Sequence, residues 1–231
     1  MVPIDTALIL AGGAGGRLRP LTDGMPKPLL PAAGRSPLER SVDRLTEHGV
    51  GNVVVAVHHL GQQIAARLEG RAHVFEERPL ETGSSVWNAL PVLGDGPFFV
   101  LNGDGVWGEG PTPMLRRLEQ RWNPARMDAL LLIHPIHKVI GREAHERGDF
   151  FAEPGSRLRH RGTASLAPYV FAGVSVCDAR LFRDAPDGAF SLLQLWNRAE
   201  AIGRLFCLIH EGDWCPVGAA EALAAAERAL A

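Results

Sequence analysis

An apolar run, Ala7-Leu8-Ile9-Leu10-Ala11, meets four glycines within five positions, Gly12, Gly13, Gly15 and Gly16. No other junction restricts the possible folds as much. An apolar run bounded by glycine reads as a strand buried on both faces, the strand type of parallel sheets. Glycine lets backbone turn through positive φ and come close to a ligand. The cations Arg17, Arg19 and Lys27 follow, and no acid stands between Thr6 and Thr22. A glycine turn at a strand's end with unopposed cations makes an anion site. A nucleotide's phosphates are the anion that suits it.

Two other phosphate loops do not fit. A Walker A loop needs lysine and Ser or Thr directly after its last glycine, and here Gly16 is followed by Arg17 and Leu18. The dinucleotide fingerprint needs a third glycine where Leu18 stands and an immediate helix. Pro20, Pro26, Pro28 and Pro31 oppose that helix. What remains is a glycine loop with an extended, proline-pinned arm that returns Lys27 to the same place.

Strands are expected at about 7–11, 53–57, 72–75, 97–101, 129–133, 169–176 and 205–209. Helices are expected at about 37–48, 60–69, 82–90, 114–122, 190–202 and 219–230. The Glu76–Pro79 stretch reads as loop, as does Gly105–Pro113. Glu153-Pro154-Gly155-Ser156 reads as the turn of a hairpin. Alternating strands and helices imply an α/β, doubly wound, mostly parallel sheet. In such sheets ligands sit beyond the strands' C-terminal ends, which would line up Gly12, His58, Leu80 and Asp104 on one rim. At 231 residues and 46% hydrophobic composition a single domain suffices, spanning 1–231. Its nucleotide-binding core is expected at about 1–133 and its sugar-binding, closing part at about 134–231, with the late hairpin as a lid. Net charge of −2 argues against a nucleic-acid surface. No 18-residue apolar run or leader is evident, so a cytoplasmic protein with no membrane partner is expected. Cys177, Cys207 and Cys215 suit a reducing compartment, and Cys207, His210 and Cys215 have no common zinc spacing.

Gly12-Gly13-x-Gly15-x-Arg17-x-Arg19-Pro20-Leu21-Thr22, Pro26-Lys27-Pro28-Leu29-x-Pro31, Leu80-Glu81-Thr82-Gly83 and Asn102-Gly103-Asp104 together resemble the signature of sugar-phosphate nucleotidyltransferases. Residues 59–64 and 147–150 look most like the branch that joins UTP to N-acetylmuramate 1-phosphate in cell-wall sugar recycling. The mannose-1-phosphate guanylyltransferases share the signature. The resemblance implies a Rossmann-like, GT-A-like fold, an NTP and a sugar 1-phosphate as partners, and Mg²⁺ as cofactor. A monomer or small homo-oligomer is expected.

The residues assigned on that basis are as follows. Arg17, Lys27 and Asp104 are catalytic, and Asp104 is the metal ligand. The nucleotide is held by Leu10, Ala11, Gly12, Gly13, Ala14, Gly15, Gly16 and Arg17, with His59, Gln62, Glu81, Gly83, Asn102 and Gly103. The sugar is held by Glu81, Asn88, Asp149 and Ser175. The family commonly carries a second metal-binding aspartate in a late W-x-D-V-G pattern. Here Trp214-Cys215-Pro216-Val217-Gly218 puts proline at that place, with Asp213 three residues earlier. That departure raises a rival of another class, a nucleotide-binding regulator with weakened turnover. A third reading, an NAD(P) oxidoreductase, is opposed by Leu18 and the proline arm.

Overall fold

The computed structural model describes residues 3–32, 34–76, 81–141, 147–218 and 220–230. The first strand is β1 (Thr6–Leu10), followed by α1 (Pro37–His48), β2 (Asn52–Val57), α2 (Gly61–Leu68) and β3 (His73–Glu76). Next come α3 (Thr82–Leu93), β4 (Pro97–Asn102), β5 (Gly105–Trp107), α4 (Met114–Arg121) and β6 (Ala129–Pro135). The chain then forms β7 (Phe150–Ala152), β8 (Leu158–His160), β9 (Tyr169–Asp178), α5 (Leu192–Ala201), β10 (Leu205–Ile209), β11 (Trp214–Pro216) and α6 (Ala220–Leu230).

The main sheet runs β10-β6-β9-β4-β1-β2-β3. β1, β2, β3 and β4 pair in parallel, as do β6 and β10. β9 runs antiparallel between β4 and β6. The sheet is therefore mostly parallel, and an antiparallel hairpin, β7–β8, joins β9 at Phe150–Tyr169. Arg157 bridges to Phe206 of β10, so the hairpin is fastened to the sheet at both of its ends.

Strand alternation sends side chains to two cores. Ala7 and Ile9 of β1, with Val53, Val55 and Val57 of β2, pack with α1, α2 and α4. Leu8, Val54 and Ala56 face the other way, against Val86 and Ala89 of α3 and Leu195 and Trp196 of α5. Helices thus cover both faces, which is why the strands read as continuous apolar runs. α1 starts in a full capping box: Ser36 Oγ accepts from Glu39 N–H at 3.2 Å, and Glu39 accepts from Ser36 N–H at 3.3 Å.

Two elements depart from expectation. Gly105–Pro113 is not all loop: β5 pairs antiparallel with β11, Trp107 opposite Trp214 and Gly105 opposite Pro216. α3 continues through Pro91 to Leu93, three residues beyond its expected end. Pro91 has no N–H to donate to Trp87 O, so the helix's last turn holds one hydrogen bond fewer. The Glu77–Pro79 part of the expected loop, and Leu80, lie outside the described residues.

Beneath β11, His134 and His210 are 2% and 3% exposed, and their rings lie 5.7 Å apart. Burial pushes both imidazoles below the usual 6.5. The unfolded chain takes up protons near 6.5 that the folded protein resists, so stability is full above that pH and falls as pH drops below it. Urea midpoints at pH 7.5 and 5.5 should show the fall, and His134→Phe should flatten it. A midpoint independent of pH would contradict this.

Candidate active site

β1 ends at the glycine cluster, and β2 and β4 end beside it because their registers with β1 are level: Leu10 lies opposite both Ala56 and Asn102. The three strand ends open a cleft of about 930 Å³. Ala11 N–H donates to Ala56 O at 2.8 Å and Gly103 N–H donates to Leu10 O at 2.9 Å, which locks the rim.

Within the loop, Gly15 has φ of 63°, a left-handed conformation that only glycine adopts without cost. A Cβ there would stand 2.8 Å from Thr22 Cγ2 and 3.1 Å from Lys27 Cβ. Thr22, 1% exposed, donates its hydroxyl to Gly15 O at 2.9 Å. Gly15 therefore joins the loop to the arm that carries Lys27. Gly13 and Gly16 differ: a Cβ at either would meet nothing within 4 Å. Both line the cleft, so their lack of a side chain keeps that part of it open. Gly15→Ala should lower stability by roughly 1–2 kcal/mol through the backbone alone, measured as a lower urea midpoint. An unchanged midpoint would refute that reading of the turn.

The structure brings Leu10, Ala11, Gly12, Gly13, Ala14, Gly15, Gly16, Arg17, Lys27, Glu81, Asn102 and Asp104 to this one cleft. Lys27 sits in a short turn entered from Pro26, and its Nζ makes an ion pair with Asp104 Oδ2. The Lys27 side chain is 13% exposed and that of Asp104 32%, so the pair is sheltered yet reachable from the cleft. Arg17 is exposed and stands beside Gly218, whose added Cβ would be 3.5 Å from Arg17 Nη2. Arg19 turns away to pair with Asp23 at 3.4 Å, leaving two cations of the expected three at the site.

Other expected residues are placed elsewhere. His58 lines the cleft, whereas His59 Nε2–H donates to Thr22 O at 3.3 Å and so braces the Lys27 arm. Gln62 is exposed on α2. Gly83 is buried under Phe190, where a Cβ would come within 2.5 Å of the ring. Gly103 packs on Leu10 O. Asn88 lines a separate cavity with Asp95, Asp178 and Arg183. Ser175 is fully buried in β9, its hydroxyl 3.6 Å from Cys177 Sγ. Neither Asn88 nor Ser175 reaches the cleft. Asp149 lines a smaller cavity beside Pro216.

Asp213 is at the far end of the β5–β11 ladder from Asp104. Gly108 N–H donates to Asp213 O at 2.8 Å, while Val217 N–H donates to Asp104 O at 2.9 Å. The proline at 216 does not bend Asp213 back. Ser85, Ala189 and Gly218 also line the cleft. Gly218 belongs to a stretch already marked in the sequence. Ala189 carries no local signal, because it arrives through a long-range contact: Phe190 N–H donates to Ser84 Oγ at 2.7 Å.

The arrangement can neutralise a polyanion with backbone amides and two cations, and two carboxylates line it, Glu81 and Asp104, of which Asp104 is paired with Lys27. Among the described residues, no group of three or more His, Cys, Asp or Glu side chains could hold a metal alone. The three cysteines are free and buried, and burial raises the Cys177 thiol to about 12 and those of Cys207 and Cys215 to about 11. No helix of the described residues is long and apolar enough to cross a membrane.

The chain is similar to known proteins over nearly its whole length. A family model described as nucleotidyl transferase matches residues 6–231. N-acetylmuramate alpha-1-phosphate uridylyltransferase of Caulobacter vibrioides is 37% identical, over 97% of this chain and 96% of its own length. Mannose-1-phosphate guanylyltransferase catalytic subunit beta of Dictyostelium discoideum is 39% identical, over 92% of this chain and 60% of its own. A crystal structure of UDP-glucose pyrophosphorylase complexed with UDP-glucose superposes with a TM-score of 0.78, covering 99% of this chain and 98% of that one. At 15% identity, that last likeness is one of fold.

Proposed function

The chain belongs to the nucleotidyl transferase family, and from that premise we propose that it joins UTP to N-acetylmuramate 1-phosphate, releasing pyrophosphate. A phosphate oxygen of the sugar attacks the α-phosphorus of UTP. The bond from that phosphorus to the α–β bridging oxygen breaks, and pyrophosphate leaves with its electrons. The nucleophile is already ionised, so the protein's work is positioning and charge neutralisation. The 12–16 amides cradle the triphosphate, Arg17 steadies the departing phosphates, and Lys27 meets the α-phosphate or the incoming phosphate. The observation that carries this reading is the cleft itself, where Gly13 and Gly16 leave room beside Arg17 and the Lys27–Asp104 pair.

Magnesium suits the donor set. It takes one or two carboxylates and completes its shell with water and phosphate oxygens. Asp104 would hold it, and the ion would add charge neutralisation at the phosphates. Of the two carboxylates lining the cleft, Asp104 is the one beside Lys27, and neither Pro216 nor the distant Asp213 supplies a second ligand next to it. The nucleotide-binding part is read as 1–133 and the sugar-binding part as 134–231.

The test is pyrophosphate release from a panel of NTPs and sugar 1-phosphates with Mg²⁺. UTP with N-acetylmuramate 1-phosphate should give the highest kcat/KM. Preference for GTP with mannose 1-phosphate would replace this pair. Tight nucleotide binding without release from any pair would favour the regulator that Pro216 suggests.

A further inference from the structure

We propose that a second cavity, across β11 from the cleft, holds the carboxylate of an acidic sugar 1-phosphate through Arg147 and Arg161. The proposal rests on the reading of the chain as a sugar-1-phosphate nucleotidyltransferase and adds how the sugar's charge is recognised. The cavity measures about 420 Å³ and is lined by Arg147, Asp149, Arg161, Phe171 and Pro216, among others.

Two strands connect it to the cleft. On β11, Pro216 lines the cavity and pairs with Gly105, the residue after Asp104, while Gly218 lines the cleft. On β9, Phe171 lines the cavity, and two residues on, a Cβ at Gly173 would lie 3.3 Å from Asn102 Cβ in the cleft wall. A ligand with its phosphate beside Asp104 can therefore extend its other end toward the arginines.

The charged groups are fixed by backbone. Ala167 N–H donates to Arg147 O at 2.8 Å, and Arg161 N–H donates to Asp149 O at 2.7 Å. Gly148, at φ of 70°, lets the two segments close, since a Cβ there would stand 2.1 Å from Ala167 O. Arg161 donates Nε–H to Gly148 O at 2.9 Å and Nη1–H to Ala164 O at 2.7 Å. Those neutral carbonyls orient the guanidinium and do not cancel its charge. Among the described residues, neither arginine has a carboxylate within ion-pair distance. Asp149 Oδ2 accepts from Phe171 N–H at 2.9 Å, which ties that carboxylate to the β9 backbone. Its other oxygen suits a sugar hydroxyl or amide. Among the described residues that line it, two arginines and one aspartate leave the cavity with an excess of positive charge. Guanidinium forks match carboxylates, and such charged hydrogen bonds are stronger than neutral ones.

N-acetylmuramate 1-phosphate and N-acetylglucosamine 1-phosphate differ by the lactyl group and its carboxylate. Their dissociation constants should be measured by calorimetry for the unsubstituted protein, Arg147→Gln, Arg161→Gln and Arg161→Lys, alongside UTP. The unsubstituted protein should favour the acidic sugar. Each Gln variant should lose roughly 10–100-fold of that preference, with UTP and the neutral sugar unaffected, and Arg161→Lys should keep part of it. No preference in the unsubstituted protein, an unchanged preference in the variants, or equal loss for both sugars would overturn the assignment. Binding decides this even if no pair releases pyrophosphate, a result that would instead remove the proposed function.

Discussion

Asp104→Asn is expected to abolish magnesium-dependent pyrophosphate release, lowering kcat on the order of 10³-fold or more, while the protein stays folded. Asparagine keeps the volume and the turn-forming capacity of the residue but loses the charge a divalent cation requires. Its backbone role is unaffected, since Val217 donates to the main-chain oxygen of residue 104. Losing the ion pair leaves the Lys27 ammonium, only 13% exposed, without its carboxylate but beside the open cleft, so the cost in stability is modest. Thermal unfolding should therefore match that of the unsubstituted protein within a few degrees. Near-normal turnover would remove Asp104 from the chemistry.

Lys27→Ala and Arg17→Ala should each cost about 10²–10³ in kcat, because each removes a cation placed where charge develops on the phosphates. The two losses should differ in kind. Arg17 is exposed and has no ion-pair partner among the described residues, so its removal leaves the rest of the site standing. Lys27 is sheltered and paired with Asp104, so its removal also leaves that carboxylate without its neighbour. Lys27→Ala combined with Asp104→Asn should consequently lose less than the product of the two single losses. Single-turnover rates for the three variants check this. Strict multiplicativity would show that the pair does not act as a unit.

The parts of this site that are local in the chain were legible from the sequence. The β1–glycine junction, the cations and the Asn102-Gly103-Asp104 turn each sit within a few residues of an apolar strand, and strand plus turn chemistry is enough to place them. The parts that depend on long-range pairing were not legible. β5 and β11 are three residues each, and Gly105-Val106-Trp107 amid glycines reads as loop until Trp214-Cys215-Pro216 is known to lie opposite. The direction of β9 is likewise invisible, since an apolar run looks the same parallel or antiparallel. That strand lies between β4 and β6 and is buried on both faces, which is why Ser175 is packed on Cys177 rather than presented to a ligand. Asn88 is six residues into α3, about 9 Å along its axis from the end that meets the cleft. A nucleotide contact is expected at His59 from sequence, whereas His58 lines the cleft and His59 fastens the loop behind it; two adjacent histidines at a strand's end carry no local signal that tells them apart.

The central claim is that the turn at 12–16, with Arg17 and Lys27, grips the triphosphate. A crystal structure with a non-hydrolysable UTP analogue tests it most directly. The expected result is a triphosphate seated against the amides of 12–16, with its oxygens within hydrogen-bond reach of Arg17 and Lys27. A triphosphate bound outside that cleft, with both cations left in contact with solvent, would contradict it.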